Sequence, residues 1–351
     1  MSIHEVARQS GVSSATVSRV FNLPDKVTQA TRQRVQTIAK ALGYTPNASA
    51  RTLRTQRSRV LGVVLPTLLN PVFAECLDGI ASAATAAGYA ILPITTDYQL
   101  AREDLAVNLL LAGNVEGMIL VVSNPATSRA LKRLKAAQVP YVLAYNRHSA
   151  HPCVSVDSQQ AVVDLIARLA AMGHSRITFV SGQLAASDRA QQRLYGYQKG
   201  MRASALMATD MLEVPFVESA ANKLGQLLRS PSRPTALVCS NDLLAIRCLR
   251  AAHLAGLRVP DDLSVVGFDG IAIGQELTPM LSTIAQPNAQ IGHQAAGLLV
   301  QALAGGTPLK PGASLTLPHA FRVGESCARL APGTPRTELN SKAKKFSAKK
   351  T

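Results

Sequence analysis

The spacing of apolar residues changes near position 60 of the chain. Before that point, apolar side chains recur every three or four residues in short runs, which is typical of amphipathic helices. One such helix begins after Ser2 and ends at Gly11, a second begins after Ser13, and a third runs from Thr28 to Gly43. Serine and threonine cap the first turn of a helix, and glycine adopts the left-handed conformation that ends one. Residues 1–46 are therefore predicted to form a small helical head with a helix-turn-helix.

From residue 60 the pattern alternates between apolar runs of strand length and amphipathic runs of helix length. The strand-like runs cover 60–65, 90–95, 117–122 and 141–145, and then 177–181, 211–215, 236–240 and 264–268. The helical runs cover 73–87, 101–112 and 128–137, and then 159–172, 191–205, 220–228, 243–255 and 291–303. Strands and helices in alternation predict parallel sheets covered on both faces. We therefore expect an α/β body at 60–330 with two lobes, the second of which starts at about residue 157 and includes the run 291–303.

Charge is concentrated at the two ends of the chain. The 351 residues carry a formal net charge of +16, and 47% of them are hydrophobic, which is enough for a head and a two-lobed body. Ten basic and two acidic residues precede Val60, and six basic residues and one acidic residue follow Leu330. Basic ends predict a polyanionic partner, and in the head the charge coincides with the helix-turn-helix. Residues 331–351 lack apolar periodicity and are predicted to be a disordered basic tail.

Cysteine usage and the N-terminal residues point to a reducing compartment. None of the five cysteines belongs to a Cys-x-x-Cys pair, so we predict apolar packing rather than disulfides or a metal site. The N-terminus shows no secretory signal, and no apolar run approaches the roughly 20 residues of a membrane helix. We therefore expect a cytoplasmic protein without a membrane partner. The cysteines are Cys76, Cys153, Cys239, Cys248 and Cys327.

Sequence motifs of common enzyme active sites are missing from the chain. We find no GxGxxG after a strand, no GxxxxGK[ST], no HExxH, no GxSxG and no evident pair of nucleophile and base. We therefore predict no catalytic residue, no metal ligand and no cofactor. A sugar-binding module of a transport system is an alternative for the body, but the basic head and the missing signal disfavour it.

The second helix of the head offers short polar side chains and one arginine. Small residues let a helix approach DNA closely, and arginine can donate two hydrogen bonds to a guanine edge. Residues 11–22 (GVSSATVSRVFN) and 43–54 (GYTPNASARTLR) resemble the lactose/galactose repressor (LacI/GalR) family of bacterial transcription regulators. The resemblance continues over the rest of the chain to about Arg329.

This resemblance implies a homodimer, or a higher oligomer, on a pseudo-palindromic operator in double-stranded DNA. Residues 47–59 would form a hinge helix and linker, in which Leu53 is an apolar wedge for a central CpG step in the minor groove. The residues implied in DNA binding are Ser13, Ser14, Ala15, Thr16, Ser18, Arg19 and Asn22 of the head and Asn47, Ala50, Arg51 and Leu53 of the hinge.

The body resembles the periplasmic-binding-protein fold of the same family, in which a small molecule binds between two lobes. The matching segments are 70–75 (NPVFAE), 193–197 (RLYGY), 240–242 (SND) and 266–269 (VGFD). Ligands of open α/β sheets bind at the carboxyl ends of the strands. Asp242 is expected to cap a helix, and Asn146 stands where the family often has an aspartate. The residues implied in effector binding are Phe73, Arg147, Arg193, Asn241 and Asp269.

The resemblance also implies a function. It predicts a DNA-binding transcription regulator, most often a repressor in this family, whose operator affinity is controlled by a small polar effector. A sugar or a sugar acid is the expected effector, and a nucleobase-responsive regulator of the corepressor type is the alternative. The effector could act either as an inducer or as a corepressor, because the sequence does not give the direction in which it changes operator affinity.

Overall fold

The computed structural model describes residues 2–45, 57–215, 221–306 and 309–330. The chain divides into two units, one that ends at Arg59 and one that begins at Val60, and each is described by itself. Residues 47–56 of the predicted hinge, with the Leu53 wedge, and the predicted tail 331–351 lie outside the described residues. Within the described ranges, no helix is long and apolar enough to cross a membrane.

Three helices form the head: α1 (Ile3–Ser10), α2 (Ser14–Asn22) and α3 (Gln29–Ala41). As predicted, the hydroxyl oxygens of Ser2 and Ser13 accept hydrogen bonds from N–H groups three residues later, and Gly11 ends α1 with a φ of 61°. Thr28 precedes α3 without a capping hydrogen bond from its side chain. The core of the head contains Val6, Ala7, Val17, Val20, Val35 and Ala39. Only two of the nine residues of α2 are buried, so most of this helix faces outward.

The body contains two six-stranded sheets in the described residues. The first has the strand order β11-β5-β4-β3-β1-β2 and is entirely parallel. The second has the order β12-β10-β9-β8-β6-β7, in which only β12 is antiparallel to its neighbour. The strands are β1 (Val60–Leu65), β2 (Ala90–Thr95), β3 (Gly117–Leu120), β4 (Tyr141–Ala144), β5 (Cys153–Val156), β6 (Ile177–Ser181), β7 (Leu212–Glu213), β8 (Ala236–Cys239), β9 (Ser264–Asp269), β10 (Ser282–Ala285), β11 (Leu315–Leu317) and β12 (Ala320–Arg322).

In the described part of the body, eight α-helices cover these sheets, and each corresponds to a predicted helical run. Continuous burial of β3, β4, β6 and β8 is the pattern expected for strands with helices on both faces. The helices are α4 (Pro71–Ala86), α5 (Leu100–Ala112), α6 (Arg129–Ala136), α7 (Ser158–Ala171), α8 (Asp188–Ala203), α9 (Ala221–Arg229), α10 (Asp242–Leu254) and α11 (Asn288–Gly305).

The chain passes between the two lobes three times. The crossings lie after β5, between β10 and α11, and between β11 and β12. Helix α11 packs on α4 and on β3, β4 and β5, so it belongs to the first lobe. The assignment of the run 291–303 to the second lobe is therefore wrong, because periodicity shows that a helix has an apolar face but not which sheet that face covers. Strands β5, β10, β11 and β12, each of three or four residues, were not predicted.

Two glycines allow α4 and α11 to approach each other closely. A Cβ atom on Gly79 would lie 1.9 Å from the carbonyl oxygen of Ala289, and one on Gly292 would lie 2.0 Å from that of Cys76. Neither distance is compatible with a side chain, so the backbones themselves are in contact. This close packing against α4 places α11 in the first lobe.

Candidate nucleic-acid interface and ligand cavity

The outer face of α2 carries the head residues that the sequence predicts to contact DNA. Val17 and Val20 are at most 2% exposed and point into the core of the head. The hydroxyl group of Ser13 accepts a hydrogen bond from Thr16 N–H at 3.2 Å and lies 3.0 Å from the Thr16 hydroxyl. These contacts of the N-cap residue Ser13 therefore stabilise the first turn of α2. Ser13, Ala15 and Arg19 are exposed, and Ser14, Thr16, Ser18 and Asn22 are half-buried.

The last predicted head residue, Asn22, is bound to its own helix. Its amide Nδ2 donates to the Ser18 carbonyl at 2.7 Å and to the Ser18 hydroxyl at 3.3 Å. These bonds hold the Asn22 amide along α2. The four predicted hinge contacts, Asn47, Ala50, Arg51 and Leu53, lie outside the described residues.

A cavity lies where the carboxyl ends of strands from both sheets meet. It encloses about 380 Å³ that protein atoms do not fill, part of which is open to solvent. Phe73, Arg193, Asn241 and Asp269 line it, so four of the five residues predicted for an effector site come together. The segments that carry them follow β1, β6 and β8 or end β9, as expected for open α/β sheets.

Arg193 and Asp269 form a buried ion pair in the wall of this cavity. The Arg193 Nη1 atom lies 3.2 Å from Asp269 Oδ1, and the guanidinium group stacks 3.5 Å from the centre of the Phe268 ring. Burial lowers the pKa of Arg193 and raises that of Asp269 to about 6, although each charge opposes the shift of the other. Gln286 also donates to Asp269 Oδ1 at 2.9 Å. The pair therefore presents charged hydrogen-bonding groups that are almost completely buried.

The backbone at Asp269 adopts an unusual conformation. Its φ is +117°, in the region that L-residues rarely occupy, and Gly270 follows with a φ of +75°. A Cβ on Gly270 would lie 2.6 Å from Ala285, so this turn also needs a glycine. Strained backbone of this kind clusters at ligand-binding and active sites. The strain at Asp269 thus coincides with the position that aims its carboxylate at the cavity.

Two buried polar atoms in the cavity wall have no hydrogen-bond partner among the described residues. They are Nε of Arg193 and the hydroxyl oxygen of Ser240. Buried polar groups are nearly always satisfied, so these two atoms call for a partner from outside the chain, such as a water molecule or a ligand. On the opposite side, the rings of Phe73 and Tyr145 meet edge to face with centroids 5.8 Å apart. The cavity therefore combines an aromatic wall with unsatisfied polar groups.

Asn241, rather than Asp242, caps the helix that follows β8. Asn241 is the N-cap of α10, because its side chain accepts a hydrogen bond from Leu244 N–H at 2.8 Å. Asp242 is the first helical residue, is fully buried, and accepts hydrogen bonds from Ile271 N–H and the Thr283 hydroxyl. The expectation that Asp242 caps this helix is therefore wrong. Asn241 lines the cavity, and its side-chain oxygen caps α10.

Asp242 makes the stability of the body depend on pH. Burial, with the nearby Asp269 charge, raises its pKa from an ordinary 3.8 to about 7. A carboxyl group with a raised pKa in the folded state stabilises the fold below pH 3.8, and this contribution is lost as the pH rises through about 7. We therefore expect the free energy of unfolding of the wild type, relative to that of Asp242→Asn, to fall by up to about 1.4 kcal/mol per pH unit across that window. Urea denaturation at several pH values measures this difference, and parallel profiles for the two proteins would contradict it.

Arg147 does not reach the cavity. Its side chain is 46% exposed and forms an ion pair with Asp157, the N-cap of α7. Sequence reasoning also missed several residues that do line the cavity, of which Arg189 is the only other charged one. The sequence did contain a signal for these residues. Ser187 follows the carboxyl end of β6 in the second lobe and caps α8, directly before Asp188 and Arg189. The lining residues that were not predicted are Asn70, Val72, Tyr98, Tyr145, Ser187, Arg189, Ser240 and Gln286.

Comparison with known proteins agrees with this arrangement of a helix-turn-helix head and a two-lobed body. The model of bacterial regulatory proteins of the lacI family matches residues 2–47, and that of a periplasmic binding protein-like domain matches 166–327. The HTH-type transcriptional repressor CytR of Escherichia coli (strain K12) is 34% identical over 307 residues, which cover 86% of this chain and 89% of CytR.

Solved structures match most of the chain. The lac repressor dimer bound to operator and the anti-inducer ONPF has a TM-score of 0.82 at 26% identity, covering 94% of this chain and 99% of that one. The complex of the transcriptional regulator CelR with cellobiose has a TM-score of 0.66 at 26% identity, covering 93% and 99%.

These findings define the protein as a DNA-binding transcription regulator with a periplasmic-binding-protein-like body. The chain belongs to the LacI family of bacterial regulatory proteins. The predicted fold class is confirmed. The relatives named above are transcription regulators.

Proposed function

We propose that this protein is a repressor whose affinity for operator DNA is controlled by a small polyhydroxylated molecule, such as a sugar, bound in the cavity. The ligand-bound CelR complex and the operator-bound lac repressor dimer support this assignment. The observation that carries it is the pair of unsatisfied polar atoms, on Arg193 and Ser240, in the wall of a cavity between the lobes of a chain with a helix-turn-helix.

Charge balance in the cavity favours a neutral ligand. Arg193 is paired with Asp269 at 3.2 Å, and Arg189 is paired with Asp188 at 3.0 Å. Neither arginine therefore provides an uncompensated positive charge for a strongly anionic group. Hydroxyl groups can both donate to Asp269 and accept from the guanidinium groups, which suits a sugar better than a sugar acid.

The remaining assignments follow from the family. Phe73, Arg193, Asn241 and Asp269 hold the effector, and the outer face of α2 together with the hinge 47–59 holds the operator. The protein acts as a homodimer on a pseudo-palindrome, in the cytoplasm and without catalysis. Effector and operator bias the same equilibrium between lobe arrangements. Binding of either one therefore changes the affinity of the protein for the other by the same factor.

A screen followed by a binding measurement tests this function. Thermal shift with sugars, sugar acids and nucleobases should find a ligand that raises the melting temperature, because a ligand that binds only the folded state stabilises it. The same ligand should then change operator affinity in a mobility-shift assay. A sugar acid or a nucleobase as the only hit would replace the proposed ligand class, and a hit without any effect on DNA binding would refute ligand control.

Arg19 should read one base pair in each operator half-site. We expect Arg19→Ala to weaken specific operator binding by about 1–3 kcal/mol and to relax the preference at that base pair. Arg34→Ala removes the same charge from an exposed position on α3 and serves as the control for a purely electrostatic loss. Selection of operators from a randomised DNA library would reveal the change in preference. Equal losses on operator and random DNA in Arg19→Ala would contradict base reading.

A further inference from the structure

A second cavity lies at the opposite edge of the first lobe's sheet, where strands β4 and β5 begin. It encloses about 1340 Å³ that protein atoms do not fill, part of which is open to solvent. Its lining residues stand at the start of these strands, at the C-terminal ends of α6 and α11, and before β11. None of them lines the ligand cavity, which lies at the carboxyl ends of the strands. We call this separate space the amino-edge cavity.

The lining of the amino-edge cavity is mainly apolar. Leu134 and Tyr141 are buried residues of the lobe's core, and Leu303 and Leu309 are half-buried. The Tyr141 hydroxyl lies 2.7 Å from His151 Nδ1, so the polar end of this ring already has a partner. An apolar molecule bound here would remove hydrocarbon surface from water on both sides, which is favourable in proportion to the area buried.

One positive charge lies at this cavity. Lys135, in the last turn of α6, is exposed and is the only charged residue among the described lining residues. Burial, with Lys135 nearby, lowers the pKa of His151 to about 4, so the His151 ring is neutral at pH 7. An ammonium group attracts a carboxylate, and no acidic side chain among the described lining residues competes for it. The single charge and the apolar walls together match an amphiphilic anion.

We propose that the amino-edge cavity is a second small-molecule site, which binds a monocarboxylate with an apolar chain, such as a medium-chain fatty acid. The carboxylate pairs with Lys135, and the chain packs between α6, α11 and the start of β4. Cavities that hold small molecules enclose about 300–1,000 Å³, so this one has room for such a chain. Binding at this site does not depend on the proposed function, because neither the head nor the ligand cavity takes part.

Calorimetric titration of the full-length protein with decanoate tests this site. We expect one decanoate per chain, and an affinity that rises by about fourfold per methylene from hexanoate to decanoate, because each buried CH₂ contributes a similar free energy. Decyltrimethylammonium has the same chain with the opposite charge and should bind about tenfold more weakly. Many decanoate molecules per chain, or equal affinity for the two amphiphiles, would indicate adsorption on apolar surface and overturn the site.

Substitutions in the lining should weaken this binding. Ala302→Trp places a large ring in the cavity and should lower decanoate affinity by about tenfold or more, whereas Ala304→Trp, exposed on α11 outside the lining, should leave it unchanged. Lys135→Glu should lower it by about tenfold, with Lys132→Glu, exposed on α6 outside the lining, as the matched control. Unchanged affinity in Ala302→Trp, or equal losses in Lys135→Glu and Lys132→Glu, would overturn the proposal. Lys135→Glu alters only an exposed side chain, so it still decides if Ala302→Trp does not fold.

A further variant separates the two cavities of the body. The ligand cavity also contains arginine side chains, which attract carboxylates. Arg193→Gln changes that cavity and leaves the amino-edge cavity intact, so decanoate affinity should equal that of the wild type. A loss of decanoate binding in Arg193→Gln would place the carboxylate in the ligand cavity and overturn the second site. A failed sugar screen with decanoate binding intact, in turn, would refute only the proposed function.

Discussion

Asp269→Asn should shift the response of operator binding to much higher effector concentrations. The substitution keeps the size of the side chain but replaces a carboxylate, which accepts hydroxyl protons and pairs with Arg193 at 3.2 Å, by a neutral amide. Lost hydrogen bonds to a charged group correspond to about 1.5–3 kcal/mol, so effector affinity should fall by about 10- to 100-fold. Arg193→Gln should have a similar effect, because it removes the orphaned Nε and the guanidinium fork.

Calorimetry with a sugar found by the thermal-shift screen measures this loss, and mobility shifts measure the response of the operator complex. Arg202→Gln, near the exposed end of the same helix α8, is the matched control and should bind the sugar like the wild type. Operator affinity without effector should also stay close to wild type in Asp269→Asn, since Asp269 pairs with Arg193 of the same lobe and neither residue belongs to the head. Unchanged sugar affinity in both Asp269→Asn and Arg193→Gln would move the site elsewhere in the body.

Gly292→Ala should destabilise the body strongly. Its Cβ would lie 2.0 Å from the Cys76 carbonyl oxygen, so α11 and α4 would have to move apart. Overpacking of this kind lowers the free energy of unfolding by about 1–3 kcal/mol, and backbone cannot yield as a flexible side chain does. Urea denaturation measures the change.

Gly297 provides a control on the same helix. Apart from the backbone of its own helix and its chain neighbours, no described atom lies within 4 Å of a Cβ at this position, so Gly297→Ala should stabilise α11 by about 0.5–1 kcal/mol through its helix propensity. If Gly292→Ala is as stable as Gly297→Ala, the close contact of the two helices is wrong.

Local interactions explain why the head could be predicted from the sequence. Ser2 and Ser13 accept hydrogen bonds from N–H groups three residues later, and Gly11 has a φ of 61°. Such bonds involve neighbours in the chain, so residue type and spacing are sufficient to predict them. The family resemblance then assigned roles to the outer face of α2.

The candidate cavity was predicted only in part. Phe73, Arg193, Asn241 and Asp269 follow or end strands, where open sheets bind ligands, and the structure brings them to one cavity. Arg147 also follows a strand, yet it turns to Asp157 at the surface. Nothing in its local sequence distinguishes these two outcomes, because they depend on which oppositely charged group the fold places nearby.

The sequence by itself determined the positions of the helices to within three residues at each end, the alternation of strands and helices, and the family. The tertiary structure decided that α11 returns to the first lobe, that Asp242 ties β9 and β10 together instead of capping α10, and that Asn146 meets Asp188 across the lobes. Each of these contacts joins segments far apart in the chain, 42 positions apart for Asn146 and Asp188. Periodicity and capping describe a residue's near neighbours, whereas packing of distant segments selects its partner.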